Sequence, residues 1–355
     1  MNHYKIADKL RWNGRVPRID QVVIEIPQPV INECLGFLVG QAEELETLAQ
    51  KSDEILTLPI MGNWVATWKK HLLGGPGFVC LRATDTALSD EELRLMYCVF
   101  ARAIGKLNQR YGAFFDVKDH GLDHTKSAIP ISKTRACSGF HTDSSALQYS
   151  PEVVGLMCLQ PGMQGGESLL ANAADLYCWL HDHHRESLGP LSFPIRRDVI
   201  TPGTLQNEEE IRKNAFPIIE FNRRGLNFRY MRYWITTAYQ KLKMPLPDGL
   251  NEAMDYIDQY LEASEHVFFM KLARGEMLFL NNRYLCHSRT AFTVGLDASR
   301  KRTLVRTWID TVASSQRRPG TLNSYLIGDP TLDPMKSAGF EERAVNHKSS
   351  DGPAL

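Results

Sequence analysis

Residues 153–159, Val-Val-Gly-Leu-Met-Cys-Leu, offer no polar side chain to water on either side of an extended chain. Strand side chains alternate between two faces, so a run that is apolar on both belongs in the middle of a sheet. Shorter apolar runs recur at 78–81, 114–117, 267–270, 277–280 and 303–309, each bounded by turn-forming or charged residues. Residues 21–26, followed by Pro27 and Pro29, read as an edge strand.

Helical spacing is confined to a few places. Residues 32–56 predict an amphipathic surface helix, and 64–73 a second that stops at Gly74-Gly75-Pro76-Gly77. Ser89 with Glu92 three positions on is a capping box. It opens a helix to about residue 107, with Leu93, Met96, Tyr97, Phe100 and Ile104 on one face. Residues 174–188 and 250–264 are further helices, while 189–232 alternate short β-prone runs with turns. Many short strands without a strand–helix rhythm predict a mainly β fold, a double-sheet jelly roll (double-stranded β-helix) with peripheral helices. The expected division is an N-terminal extension over 1–75, the jelly-roll unit over 76–313, and a Pro-, Gly- and charge-rich tail over 314–355.

The chemistry starts at Ser138-Gly139-Phe140-His141-Thr142-Asp143. In an extended segment His141 and Asp143 point to the same side, offering an imidazole and a carboxylate to one point. These are two of the three ligands of a non-haem Fe(II) site. Among the 11 histidines, His181, His183 and His184 read as a solvated helical cluster, and His120 and His124 as loop residues. His287 differs: it follows an apolar strand and the turn Asn281-Asn282-Arg283. Downstream, Arg302 and Arg306 share one face of a β-prone segment, and a buried arginine fork is what a carboxylate co-substrate requires.

These motifs together, Phe-His-Thr-Asp, Gly-Gly-Glu-Ser (165–168), Leu-Asn-Asn-Arg-Tyr-Leu-Cys-His-Ser-Arg-Thr-Ala-Phe (280–292) and Arg-x-x-x-Arg-Thr-Trp (302–308), resemble the taurine dioxygenase (TauD/TfdA-like) family. That family includes γ-butyrobetaine hydroxylase and clavaminate synthase relatives, all Fe(II)- and 2-oxoglutarate-dependent. The match runs over residues 77–310. The resemblance implies that His141, Asp143 and His287 form the facial triad of the iron. Arg302 would hold the distal carboxylate of 2-oxoglutarate, helped by Ser168, which stands where the family commonly has Thr. Arg306 would face the substrate's anionic end or assist the co-substrate. In such enzymes 2-oxoglutarate takes two open metal positions and O2 the third, yielding succinate, CO2 and an oxidant for a C–H bond. Relatives that halogenate lack the carboxylate ligand; Asp143 therefore favours hydroxylation, with desaturation or cyclisation as the alternative.

The substrate is expected to be a small carboxylate- or amino-acid-like metabolite, for which Arg306, Arg229 and Arg232 with Tyr230 and Tyr233 supply complementary groups. Arg135 and Ser138 are further lining candidates, and 118–134 and 201–215 are lid candidates. Lys+Arg and Asp+Glu are both 41, so no basic field recruits nucleic acid or a membrane. No apolar run approaches a membrane span. Seven scattered cysteines without Cys-x-x-Cys fit a reducing, cytoplasmic setting. A homo-oligomer is compatible with all of this. Two rivals use the same residues: a zinc hydrolase, and a non-catalytic jelly-roll binding protein.

Overall fold

The computed structural model describes residues 6–39, 45–50, 58–83, 88–110, 112–119, 134, 137–147, 150–198, 208–222, 224–293 and 301–311. Two sheets face each other. Their strands in chain order are β1 (Val23–Glu25), β2 (Phe78–Arg82), β3 (Lys106–Leu107), β4 (Phe115–Lys118), β5 (Ser138–His141) and β6 (Val153–Gln160). There follow β7 (Ser168–Asn172), β8 (Val267–Met270), β9 (Glu276–Asn281), β10 (Leu285–Arg289) and β11 (Thr303–Asp310). The larger sheet runs β1-β2-β9-β6-β11-β3, with β4 also on β11; the smaller runs β8-β7-β10-β5. With helices packed outside, this is the jelly-roll architecture that the strand pattern predicts.

The larger sheet is buried on both faces, which explains its unbroken apolar runs. Val79, Leu81, Met277, Phe279, Met157, Val305 and Ile309 point to one side, into a cluster with helices Gln28–Val39, Pro59–Gly74 and Asp90–Ile104. Their alternates Phe78, Cys80, Leu278, Leu280, Val154, Cys158 and Leu304 point between the sheets. As expected, β6 is central, paired with β9 and β11. β1 is an edge strand, parallel to β2 alone, although it starts at Val23 because Ile19–Val22 is a helical turn.

The capping box is present: the Ser89 hydroxyl accepts from the Glu92 N–H at 3.2 Å, and Glu92 accepts from the Ser89 N–H at 2.7 Å. Other helical expectations need correction. The described part of the helix expected over 32–56 is Gln28–Val39 and Leu45–Gln50; the first starts four residues early and is amphipathic as expected, with Val30, Ile31 and Cys34 buried and Gln28, Asn32 and Gly36 exposed. The helix predicted over 64–73 starts earlier, with Pro59 at its first turn, where a missing N–H costs nothing. The helix predicted over 174–188 breaks at His184 into a 3-10 turn and a short helix. Helix Arg232–Lys241 lies where the sequence reading assigned no element, and its Ile235 and Ala238 share a core cluster with Met254 and Ile257 of helix Leu250–Glu262. The tail over 314–355 lies outside the described residues.

Candidate active site

The smaller sheet's inner face carries the metal motif. His287 on β10 pairs with His141 on β5, and a register irregularity before Arg289 pairs that residue with Ser138. The Ser138 hydroxyl accepts the Arg289 N–H at 3.0 Å, repairing the ladder there. Ser138 is thus a structural hydroxyl, contrary to its expected place lining the pocket.

His141 and His287 each direct Nε2 at one oxygen of Asp143, at 3.5 and 3.6 Å from Oδ1. The three ligand atoms lie within 4.8 Å of one another. His141 Nδ1 lies 2.9 Å from the Gly139 carbonyl, which can only accept, so the proton sits on Nδ1 and Nε2 presents its lone pair. The other Asp143 oxygen, Oδ2, is taken: it accepts from the Trp308 indole N–H at 2.6 Å and from Arg306 at 3.3 Å. The peptide of Asp143 is clamped by Asn282, whose side chain accepts the Asp143 N–H at 2.7 Å and donates to its carbonyl at 3.0 Å. The Thr142 N–H donates to the Tyr230 carbonyl at 2.9 Å.

Burial works against ionising Asp143, but Arg306, then His141 and His287, outweigh it and hold the carboxyl well below the usual range. Burial, reinforced by His141 and Arg306 against the opposing Asp143, pushes His287 down to about 3, so its imidazole is neutral at ordinary pH. Two imidazoles and one carboxylate, with no thiolate and no fourth ligand among the described residues, fit the facial triad of Fe(II). A structural zinc site would close with a fourth side chain.

A second locus lies beside the triad. Arg302 is 4% exposed; one Nη donates to the Gly166 carbonyl at 3.1 Å, and the other is buried with no partner among the described residues. A buried guanidinium nitrogen without an acceptor is costly, and a ligand carboxylate satisfies it. Burial, with the charge of Arg289, pulls Arg302 down to about 10. Arg289 and Arg302 both lie over the Phe292 ring, at 4.9 and 5.1 Å. Ser168 is buried on β7 directly opposite Arg289. Arg306 stays partly exposed between Phe115 and Trp308.

The other arginines are engaged elsewhere. Arg232 is held by Asp255 and Asp258 at 2.5 and 2.6 Å, and the Tyr230 hydroxyl donates to Asp258 at 2.5 Å. Arg229 is half-buried, donating to the Leu147 carbonyl at 2.7 Å. The Tyr230 and Arg232 bonds tie the metal loop to helix Leu250–Glu262, so these two groups are engaged within the protein, contrary to their expected place facing a substrate anion. Tyr233 is exposed. Of the lid candidates, 120–133 and 201–207 lie outside the described residues, as do His120, His124 and Arg135. Residues 208–213, expected to be irregular, form a short helix. Trp308, Asn282 and Arg289 stand inside the sequence motifs, but the sequence reading gave them no role. Only Arg289 had a signal of its own, because strand alternation from His287 places it on the same face.

A model of the taurine catabolism dioxygenase TauD, TfdA family matches residues 45–308. The chain is 25% identical over 280 residues to the FR-33289 synthase of Streptomyces rubellomurinus, covering 75% of this chain and 78% of that one. Among solved structures it is similar to asparagine oxygenase in complex with Fe(II), 3-hydroxyasparagine and succinate, at TM-score 0.61 and 16% identity, covering 81% of this chain and 93% of the other. It is similar also to the non-haem iron oxygenase OrfP in complex with Fe, succinate and (3S)-hydroxy-L-Arg, at TM-score 0.62 and 12% identity, covering 85% and 98%.

Proposed function

Since this chain belongs to the taurine catabolism dioxygenase TauD, TfdA family, we propose that its His141, Asp143 and His287 hold the Fe(II) of a 2-oxoglutarate-dependent dioxygenase. The enzyme uses Fe(II), 2-oxoglutarate and O2. The observation that carries the assignment is the convergence of two imidazole nitrogens on Oδ1 of an Asp143 whose Oδ2 is already hydrogen-bonded. Bound there, Fe(II) supplies reductive activation of O2 with electrons from 2-oxoglutarate, releasing succinate and CO2 and oxidising a C–H bond of the substrate.

The chain's own residues do the rest. Gly139 fixes the His141 tautomer, and the apolar surroundings of His287 keep it unprotonated and available as a ligand. Arg302, with its unmatched Nη, and Ser168 hold the distal carboxylate of 2-oxoglutarate. Arg306, on the more open side, faces an anionic group of the substrate. A small anionic or amino-acid-like metabolite fits, in keeping with the similar structures solved in complex with 3-hydroxyasparagine and (3S)-hydroxy-L-Arg. Hydroxylation is the reaction favoured, with desaturation or ring closure the other outcome that product analysis would register. We read residues 1–75 as an extension packed on the dioxygenase unit of 76–313, a division supported by β1 pairing onto β2, with 314–355 as a tail. Among the described residues no helix is long and apolar enough to cross a membrane. We read the enzyme as cytoplasmic from its scattered cysteines, and as free of nucleic-acid and membrane partners from its balanced charge, 41 Lys+Arg against 41 Asp+Glu; self-association is compatible with this reading.

Anaerobic addition of Fe(II) and 2-oxoglutarate is expected to give a weak visible charge-transfer band, lost in His141→Ala. In air, one of a panel of amino acids and small anions should stimulate succinate release. Equal turnover with zinc and no 2-oxoglutarate would sink the assignment.

A further inference from the structure

The larger sheet sends Trp308 and Arg306, alternate residues of β11, into the space between the sheets, where both reach Oδ2 of Asp143. Their bonds are unequal. Trp308 Nε1 donates at 2.6 Å, short even for a donor meeting a carboxylate. Arg306 lies at 3.3 Å, with a side chain 21% exposed. Its guanidinium also sits 4.9 Å from the Trp308 ring, so the indole supports the cation while binding the same carboxylate.

A carboxylate can give a metal one oxygen or two. A facial triad works only if Asp143 gives one, because 2-oxoglutarate and O2 need the three remaining positions of an octahedral ion. Chelation by both oxygens would occupy one of those three. Something must therefore keep Oδ2 off the metal, including while Arg306 is drawn toward an anionic substrate.

We propose that Trp308 is a positioning residue whose indole N–H holds Asp143 to single-oxygen coordination, keeping the third open metal position free. This rests on the Fe(II) reading above. Trp308 touches neither substrate nor co-substrate in this role; it acts through Asp143. The indole ring also packs against the core between the sheets, so the substitution must remove the N–H and keep the ring.

The test uses Trp308→Phe and, at the same position, benzothienylalanine, which keeps the shape of the indole but has sulfur in place of N–H. Metal-free protein is titrated with Co(II), whose visible spectrum reports coordination number, then with Fe(II) and 2-oxoglutarate under argon. Loss of a hydrogen bond behind a metal ligand is expected to weaken Co(II) binding about 10- to 100-fold. The Co(II) spectrum and the Fe(II)–2-oxoglutarate band should shift, and in air succinate release should slow. The benzothienyl variant decides the matter if Trp308→Phe does not fold. Co(II) affinity within twofold of wild type and an unchanged spectrum in that variant would overturn the role of Trp308 and leave the dioxygenase reading standing. A wild-type protein that forms no band with Fe(II) and 2-oxoglutarate would overturn both.

Discussion

His287 is a buried base whose proton affinity depends on whether the chain is folded. In the unfolded chain a histidine takes up its proton near pH 6.5, whereas in the folded, metal-free protein His287 does so only near 3. Between those values the unfolded state binds the extra proton, so stability rises with pH through the window and is lost as acid carries the protein from 6.5 toward 3. The full effect is on the order of a few kcal/mol. Asp143, held ionised in the folded protein by Arg306 and the imidazoles, protonates near pH 3.8 once unfolded and so adds to the loss only at the acid end of that window. The melting temperature of metal-free protein is therefore expected to fall steeply below pH 6.5. In His287→Gln, which cannot take up this proton, the fall should be visibly shallower. Parallel melting curves for the two proteins between pH 4 and 8 check this, and superimposable pH dependences would mean that His287 is not the buried neutral group described.

Strands differ in how openly their sequence declares them, and the difference follows from what each face must do. β6 is legible because packing makes both of its faces apolar. β10, Leu-Cys-His-Ser-Arg, does not read as a strand because its inner face carries His287 and Arg289 where the alternation rule expects apolar residues. His141, Asp143 and Arg302 could be found from local motifs. Trp308 ends the same motif as Arg302, but its role was not legible there, since its bond to Asp143 spans 165 positions of sequence and depends on the two sheets meeting. The turn into β7 is a similar case, where a glycine conserves space for a distant side chain. Gly166 has φ +77°, and a Cβ there would lie 2.7 Å from Arg302 Nε and 2.9 Å from its Cδ. Gly166→Ala should cost about 1–3 kcal/mol of backbone strain and also push Arg302 off its place. Thermal unfolding and 2-oxoglutarate titration are expected to show a lowered melting temperature and an affinity reduced about tenfold or more. Gly225→Ala isolates the strain, having φ +90° with nothing within 4 Å of the added Cβ. It should lose stability and keep its 2-oxoglutarate affinity, so equal affinity losses in the two variants would show that Arg302 is not the group displaced.

At the scale of the molecule, the larger sheet is shared between two cores, and this decides whether the N-terminal extension is separable. Helices Gln28–Val39 and Pro59–Gly74 place Val30, Ile31, Cys34, Met61, Val65, Trp68 and Leu72 in the outer cluster, all but fully buried. Trp68 stacks on Phe279 of β9 at 6.2 Å, which ties the extension to the strand leading toward Asn282. Further upstream, Arg11 and the N–H of Trp12 bind Asp175, in the first turn of helix Ala173–His183, at 2.9 and 2.7 Å. Each large apolar side chain contributes roughly 1.5–3 kcal/mol on burial. The set together thus contributes about as much as the whole net stability of a typical domain, roughly 5–15 kcal/mol. Removing residues 1–75 would also strip cover from Val79, Leu81 and Phe279 on the outer face of the larger sheet, leaving helix Asp90–Ile104 alone to shield it. The truncated chain is expected to lose its cooperative thermal transition and near-ultraviolet circular dichroism, and to bind a hydrophobic dye. Full-length protein should melt in one transition that Fe(II) and 2-oxoglutarate shift upward, because ligands bound to the folded state alone add to its stability. If residues 76–355 instead fold cooperatively and still give the Fe(II)–2-oxoglutarate band, the extension is an accessory layer and the inner core alone is sufficient to hold the site.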